Sequence, residues 1–277
     1  MTLAASPWTQ WTLSPLVLAG AVAAVAFFFQ GFLRLRARGR ADLAPWSRAA
    51  LFCAGVAITV FALVGPLDTV GEEYLQSAHM LQHVLIADLG VALTLVAVRG
   101  PLALFFLPRG LLVPLARPLW LRRALNVLLR PWVSYVVWVA VLVGWHIPAA
   151  YEAGLAHPPV HVVEHLSFVV AGLLVWTQIV DPTGHHRLTV GERAGYAALM
   201  FWTGQILAYV IAFSPEVLFD PYAEQAERLL GLSPPTDQKL AAVMMMVEQT
   251  LTLGVAFVLL YRQASAERAA RAAGQPV

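Results

Sequence analysis

Residues 13–33 read LSPLVLAGAVAAVAFFFQGFL, and Arg34, Arg36, Arg38 and Arg40 follow them closely. A membrane-spanning helix needs about 20 mostly apolar residues, and this stretch has that length without a single charged side chain. No charge precedes the stretch and no small-residue cleavage site follows it, unlike a signal peptide. The pattern therefore predicts a retained membrane helix that ends in a basic segment.

Six further stretches of comparable length and polarity follow along the chain. Hydrophobic residues make up 59% of the 277 residues and charged residues 12%, which exceeds what one water-soluble core could bury. We predict an all-α integral membrane bundle of seven transmembrane helices, with residues 1–277 as one polytopic domain. The predicted helices are approximately 13–33, 49–67, 75–98, 131–150, 158–180, 193–213 and 238–261.

The basic residues predict the orientation of this bundle. Sixteen of the 18 Lys and Arg residues follow predicted helices 1, 3, 5 or 7, and only Arg228 and Lys239 lie on the other side. Cytoplasmic loops carry an excess of Lys and Arg, so we expect the N-terminus outside and the C-terminus in the cytoplasm. The basic residues form no long run typical of nucleic-acid binding, and the single cysteine, Cys53, excludes a disulfide or a CxxC pair.

Histidines concentrate near the predicted outer ends of three helices. His79 and His83 begin helix 3, His161 and His165 begin helix 5, and His146 ends helix 4. Positions i and i+4 lie on one face of a helix, so each pair can present two imidazoles to one point. Histidine in a membrane helix is costly and usually faces a ligand, a cavity or a polar partner. We expect one layer that binds a ligand or a proton; the alternative is that each imidazole hydrogen-bonds a neighbouring helix.

Other side chains could complete a metal site. Imidazole suits copper, zinc, iron and nickel, and thioethers favour cuprous copper. Glu164 adjoins His165, and Met80, Met244 and Met245 are predicted near the same layer, although methionine also fills gaps between helices.

Several polar groups are expected to lie outside this layer. We expect Glu72 and Glu73 to be solvated, and Asp88 to take part in interhelical hydrogen bonds with Glu248 and Gln249, because Asp88 faces away from His83 on its helix. His185 and His186 are expected in a solvated cytoplasmic loop.

Two segments between the helices have distinct compositions. Residues 118–130 interleave Leu and Trp with Arg, which fits either an amphipathic helix on the inner leaflet or an ordinary basic loop. Residues 214–237 combine prolines with acidic residues and form the largest predicted outer segment. We expect a partner to dock there.

Four motifs give the chain a resemblance to a known family. They are Ser77-Ala-His-Met-Leu-Gln-His83, Trp145-His-Ile-Pro148, His161-Val-Val-Glu-His-Leu-Ser-Phe168 with Trp176, and Asp237-Gln238. Over nearly its whole length the chain resembles the CtaG family of polytopic cytochrome c oxidase assembly factors. In helix 7 it departs from the family pattern, with Ala241, Ala242 and Met244–Met246 where a glycine and a tryptophan are expected.

The resemblance implies a multi-pass protein of the bacterial plasma membrane that helps form the copper centres of a haem–copper oxidase in the respiratory chain. It implies a non-enzymatic metallochaperone that binds copper, as Cu(I), through the histidine motifs. Its implied partners are cytochrome c oxidase subunits, membrane lipid and an extracytoplasmic copper donor, with no nucleic acid. The implied ligands are His79, His83, His146, His161 and His165.

Three other functions remain compatible with the residues. An intramembrane zinc hydrolase would use Zn²⁺ in the same layer and Glu164 as its base. A b-type cytochrome would hold haem between a histidine of helix 3 and one of helix 5. A passive scaffold would use the histidines only as a hydrogen-bonding network.

Overall fold

The computed structural model of the chain describes residues 6–184 and 187–273. Every regular element in those residues is a helix, which confirms the all-α prediction. Seven helices form the body of the protein. They are α1 (Pro15–Ala37), α2 (Trp46–Val64), α3 (Gln76–Val98), α4 (Pro131–Trp145), α5 (Pro158–Val180), α6 (Val190–Ala212) and α7 (Pro234–Ala272).

Among the described helices, all of the seven except α4 are long and apolar enough to cross a membrane. At 1.5 Å per residue, α4 reaches only about 22 Å, short of the roughly 30 Å hydrocarbon core. It qualifies only together with the preceding helix Leu119–Leu128, from which it is bent by 77°. The predicted helix over 131–150 is wrong at its end, because the chain turns at His146 and a new helix begins at Pro148.

Short helices connect the long ones. Residues 118–130 contain the amphipathic helix Leu119–Leu128, in which Trp120 is 70% exposed. Its location on the inner leaflet stays a prediction. Pro148–Ala156 lies between α4 and α5. The other short helices are Pro66–Glu73, Pro101–Phe105, Arg109–Ala116 and Asp220–Glu224, with 3-10 turns at Pro7–Thr9 and Leu229–Gly231.

Helix α3 packs against α2, α5 and α7. Two contacts bring backbones unusually close: a Cβ added at Gly172 of α5 would lie 2.0 Å from the carbonyl oxygen of Ala87, and one at Gly55 of α2 would lie 2.8 Å from that of Gly90. Small residues let membrane helices approach in this way. The absence of these side chains therefore determines how closely α5 and α2 pack on α3.

The segment 214–237 folds back over the bundle. The Tyr222 hydroxyl donates to the Gly71 carbonyl (2.6 Å), and the Arg228 guanidinium donates to the carbonyls of Tyr222 (3.1 Å) and Ala223 (2.9 Å). Phe219, which belongs to this segment, is completely buried. The predicted docking segment is thus an ordered cap on the same end of the bundle as the histidine pairs, and its role in docking stays a prediction.

Candidate metal centre

The two predicted histidine pairs meet between α3 and α5. One ring nitrogen from each of His79, His83, His161 and His165 lies within 4.8 Å of the others. The ring centroids are 4.3 Å apart within the α3 pair, 4.0 Å within the α5 pair, and 5.2 Å between His83 and His165. The i, i+4 spacing puts each pair on one helix face, and the contact at Gly172 brings the two faces together.

These imidazoles are buried with unused hydrogen-bonding capacity. His79 is 1% exposed and His83 3%, and neither has a hydrogen-bond partner for either ring nitrogen among the described residues. The same holds for Nε2 of His161 and of His165 within that part of the chain. A buried polar atom without a partner costs about 1–3 kcal/mol. One ring nitrogen from each of the four histidines lies near the same point, and these four nitrogens form a donor set that fits a cation.

Glu164 adds a carboxylate to the cluster. Its Oε1 lies 3.6 Å from Nε2 of His83 and 3.9 Å from Nε2 of His79, and the side chain is 1% exposed. Neither oxygen accepts a hydrogen bond from the residues that the structure describes. Gly154 leaves the necessary space, since a Cβ there would lie 2.5 Å from Oε2. The carboxyl group thus lies directly beside the imidazoles, where it can balance the charge of a bound cation.

A second carboxylate, Glu72, holds His161 from the outside. The expectation that Glu72 is solvated holds only in part: its side chain is 39% exposed, but its Oε1 lies 2.6 Å from Nδ1 of His161, whereas the neighbouring Glu73 is exposed. The helix Pro66–Glu73 folds back along α3 and carries Glu72 to the start of α5. Burial opposes ionisation of Glu72, but the hydrogen bond and charge of His161 outweigh it and lower the pKa of the carboxyl. The bond assigns the His161 proton to Nδ1 and leaves Nε2 directed into the cluster.

His146 lies beside the four clustered histidines and is not one of them. Its Nδ1 is 2.7 Å from the carbonyl oxygen of Leu142, a bond within its own helix end. Its Nε2 has no partner in the described part of the chain. The expected solvated pair, His185 and His186, lies outside the described residues.

The predicted methionines separate into two environments. Met80 and Met245 are buried and line a cavity of about 40 Å³ that His83 and His146 also border. Met244 is half-buried and lies away from this cavity. Two thioethers are therefore close to the cluster, and a role for any of the three as ligand stays a prediction.

Aromatic rings outside the predicted ligand set pack against one side of the cluster. The Tyr151 ring lies 5.2 Å from His79 and is stacked on Phe219 at 3.9 Å, and Phe168 lies 4.6 Å from His83. Burial raises the pKa of Tyr151 well above its ordinary value, so the ring stays neutral. This wall lowers the local dielectric and strengthens every charge interaction inside it.

Asp237 explains the Asp-Gln motif that opens α7. Its carboxylate accepts hydrogen bonds from the backbone N–H groups of Gln76 (2.7 Å) and Ser77 (3.2 Å) and from the Ser77 hydroxyl. Asp237 thereby caps the N-terminus of α3 from another helix, where an acidic group is favoured. Gln238 accepts from the Leu218 N–H (2.7 Å), which ties down the cap segment. Both residues stabilise the end of the bundle that carries His79.

A larger cavity reaches the cluster from the side. Its volume is about 390 Å³, and His161, His165, Glu72 and Asp68 form its polar part. The start of α1 and the face of α5 form the remaining walls. This opening connects two of the clustered imidazoles with the surface of the bundle.

Fold and site together define a polytopic helical membrane protein with a buried cluster of four histidines and a glutamate near one end. Residues 26–267 match the model of the family described as cytochrome c oxidase caa3 assembly factor (Caa3_CtaG). The chain belongs to this family, which confirms the resemblance seen in its motifs. Comparisons with curated proteins and with solved structures gave no match.

The Asp237 cap can be tested by mutation. We expect Asp237→Ala to lower the free energy of unfolding by about 2 kcal/mol, because three donors lose a charged acceptor in a buried position. Unfolding by SDS in mixed micelles measures this change. The control is Asp220→Ala, an exposed aspartate in the cap segment. Equal stability of the two variants would contradict the capping role.

Proposed function

We propose that the protein supports assembly of a caa3-type cytochrome c oxidase by binding Cu(I) at His79, His83, His161 and His165 and transferring it to an oxidase subunit. One observation supports this proposal above the others: four imidazoles, three of them buried and His165 half-buried, have ligand nitrogens within 4.8 Å of one another and offer unpartnered nitrogens, as counted over the described residues. The family membership supplies the oxidase as the recipient. Copper is cargo in this scheme, and the protein is not an enzyme.

Charge and donor chemistry favour a monovalent copper ion over other occupants. A cation buried in an apolar setting needs a compensating charge, and Glu164, with its single negative charge, is the carboxylate inside the cluster. Imidazole and thioether are both good ligands for Cu(I), and Met80 and Met245 border the cavity next to His83. Transfer to a partner then proceeds by exchange of these ligands.

The geometry gives less support to the two catalytic or redox alternatives. A porphyrin placed between a histidine of α3 and one of α5 would occupy the space where the other two imidazoles lie. A zinc hydrolase needs an open coordination position next to its base. The cavity opens at His161 and His165, whereas the candidate base Glu164 contacts His79 and His83, against which Tyr151 and Phe168 pack. Zinc is retained below as an outcome of the metal measurement.

We further propose seven spans, with α4 and the helix Leu119–Leu128 together making the seventh, in a multi-pass protein of the bacterial plasma membrane. The arginine distribution supports an outer location for the histidine end and a cytoplasmic C-terminus. Copper and the oxidase would then meet the protein at the outer surface.

Labelling of introduced cysteines tests this orientation. In a Cys53→Ser background, a membrane-impermeant maleimide should label Glu216→Cys in intact cells and Arg268→Cys only after permeabilisation. Both native side chains are exposed, so neither replacement disturbs packing. Labelling of Arg268→Cys alone in intact cells would invert the proposed topology.

Metal content tests the cluster directly. After anaerobic loading, we expect about one Cu(I) per wild-type chain by elemental analysis, and loss of it when His79, His83, His161 and His165 are all replaced by alanine. His157→Ala, an exposed histidine at the start of α5, is the control and should retain copper. The quadruple variant should also fail to support an active caa3 oxidase.

Other results would point elsewhere. Zinc bound in place of copper and lost in the quadruple variant would favour the hydrolase. Unchanged metal content together with normal oxidase assembly in the quadruple variant would leave only the scaffold function.

The contact between Glu72 and His161 gives a second, graded test. We expect Glu72→Gln to weaken Cu(I) binding about 10- to 100-fold, because a carboxylate that accepts the Nδ1–H orients the imidazole and raises its basicity. Competition with a cuprous chelator measures this affinity. Glu73→Gln changes the neighbouring exposed carboxylate and should have no effect. An equal effect of both variants would show that only the general negative charge matters.

A further inference from the structure

A second polar cluster lies deeper in the bundle than the histidines. Asp88 is twelve residues into α3, about 18 Å along its axis and so near the middle of the span. Its Oδ1 accepts from the Trp176 indole N–H of α5 (2.5 Å), and its Oδ2 accepts from the Thr252 hydroxyl of α7 (3.1 Å). Asp88 therefore has the donors that an ionised carboxylate requires.

Glu248 of α7 is the neighbour of Asp88 and has the opposite environment. It is 8% exposed, and neither of its carboxyl oxygens has a hydrogen-bond partner by distance and angle in the described part of the chain. The Thr252 hydroxyl oxygen that lies 3.1 Å from Oδ2 of Asp88 also lies 3.1 Å from the backbone carbonyl oxygen of Glu248, so Glu248 lies in the turn of α7 that packs beside Asp88. Two carboxyl groups placed together in an apolar setting disfavour each other's ionisation.

The cavity beside Asp88 supplies no compensating cation from the described residues. No Lys or Arg borders the cavity beside Asp88 within residues 6–184 and 187–273. The side chains that face the cavity from the packed helices are Trp138 of α4, Trp176 and Phe168 of α5, Met200 of α6, Met245 and Gln249 of α7, with His83 and His146 as the titratable groups. A charge in the bilayer interior is costly, so a second uncompensated negative charge is strongly disfavoured.

We propose that Asp88 and Glu248 form an intramembrane proton-binding site that holds one proton. Glu248 carries the proton and donates it in a hydrogen bond to the Asp88 carboxylate. This assignment gives every group a partner: Asp88 receives three donors, and Glu248, which otherwise has none, becomes a donor itself. It extends the expected interhelical hydrogen bonds to a specific protonation state.

The backbone around the pair supports a specialised role. A π-helical turn at Leu85–Leu89 contains Asp88, and another at Thr250–Gly254 contains Thr252. Such turns are rare and often mark functional sites. The two π-helical turns lie on different helices, α3 and α7. The hydrogen bond between the Thr252 hydroxyl and the Asp88 carboxylate joins them.

The proton site also adjoins the histidine cluster. The cavity of about 40 Å³ that contains Asp88 and Gln249 is bordered at its other end by His83 and His146. Gain or loss of a proton at the pair therefore changes the charge next to the proposed cation site, in a region of low dielectric. The proton site itself does not depend on copper binding.

Infrared spectroscopy of the full chain in lipid vesicles tests the assignment. We expect the wild type to show a carbonyl-stretch band of a buried protonated carboxyl that shifts in D₂O, and Glu248→Gln to abolish that band. Asp88→Asn should keep the band but move it to higher frequency, because the hydrogen bond to an anion is lost. Glu267→Gln, nearer the C-terminal end of α7, is the control and should leave the band unchanged.

The outcomes separate this proposal from the copper proposal. Glutamine resembles a protonated glutamate in shape, so Glu248→Gln should fold and retain copper. A band that persists in Glu248→Gln would overturn the assignment of the proton. Elemental analysis gives a further test. If the quadruple histidine variant retained a metal ion and Glu248→Gln lost it, the Asp88–Glu248 pair would hold that metal ion and not a proton.

Discussion

The close approach of α3 and α5 is the constraint on which the site depends. At Gly172 the α5 backbone lies so near the Ala87 carbonyl of α3 that a single methyl group would collide with it. Only this separation allows imidazoles from the two helices to come within 5.2 Å of each other. A wider spacing would leave two separate histidine pairs, each able to hydrogen-bond a neighbour and neither able to surround an ion. The packing of α3 on α5 therefore determines the distances between the clustered imidazoles.

At the end of the bundle that carries the histidines, polar contacts between segments distant in sequence keep this arrangement in place. Asp237 joins the start of α7 to the start of α3, and Glu72 joins the short helix after α2 to the start of α5. Tyr222 ties the cap segment to Gly71. Each contact satisfies a buried polar group, and such groups are costly to leave unpaired in an apolar environment. Together they restrict the motion of the helices whose side chains form the cluster.

Apolar length and i, i+4 spacing were enough to predict the long helices and the two converging pairs, because each is a local property of the chain. The position of Glu72 could not be predicted in this way, since it depends on how the helix Pro66–Glu73 folds back on α3. The same limit applies to His146, whose Nδ1 is bonded to the Leu142 carbonyl at the end of α4, and to the stacking of Tyr151 on Phe219. Contacts between segments distant in sequence require the packed structure.

The two histidine pairs are synthesised at different times, because they are far apart along the chain. His79 and His83 enter the membrane with α3, and some eighty residues must be synthesised before His161 and His165 arrive with α5. Asp237, which caps the N-terminus of α3, is synthesised later still. During synthesis the first pair is therefore half a site, unable to surround an ion. Under the proposed function, ion capture would require both α3 and α5, and a truncated product that stops before α5 would lack it.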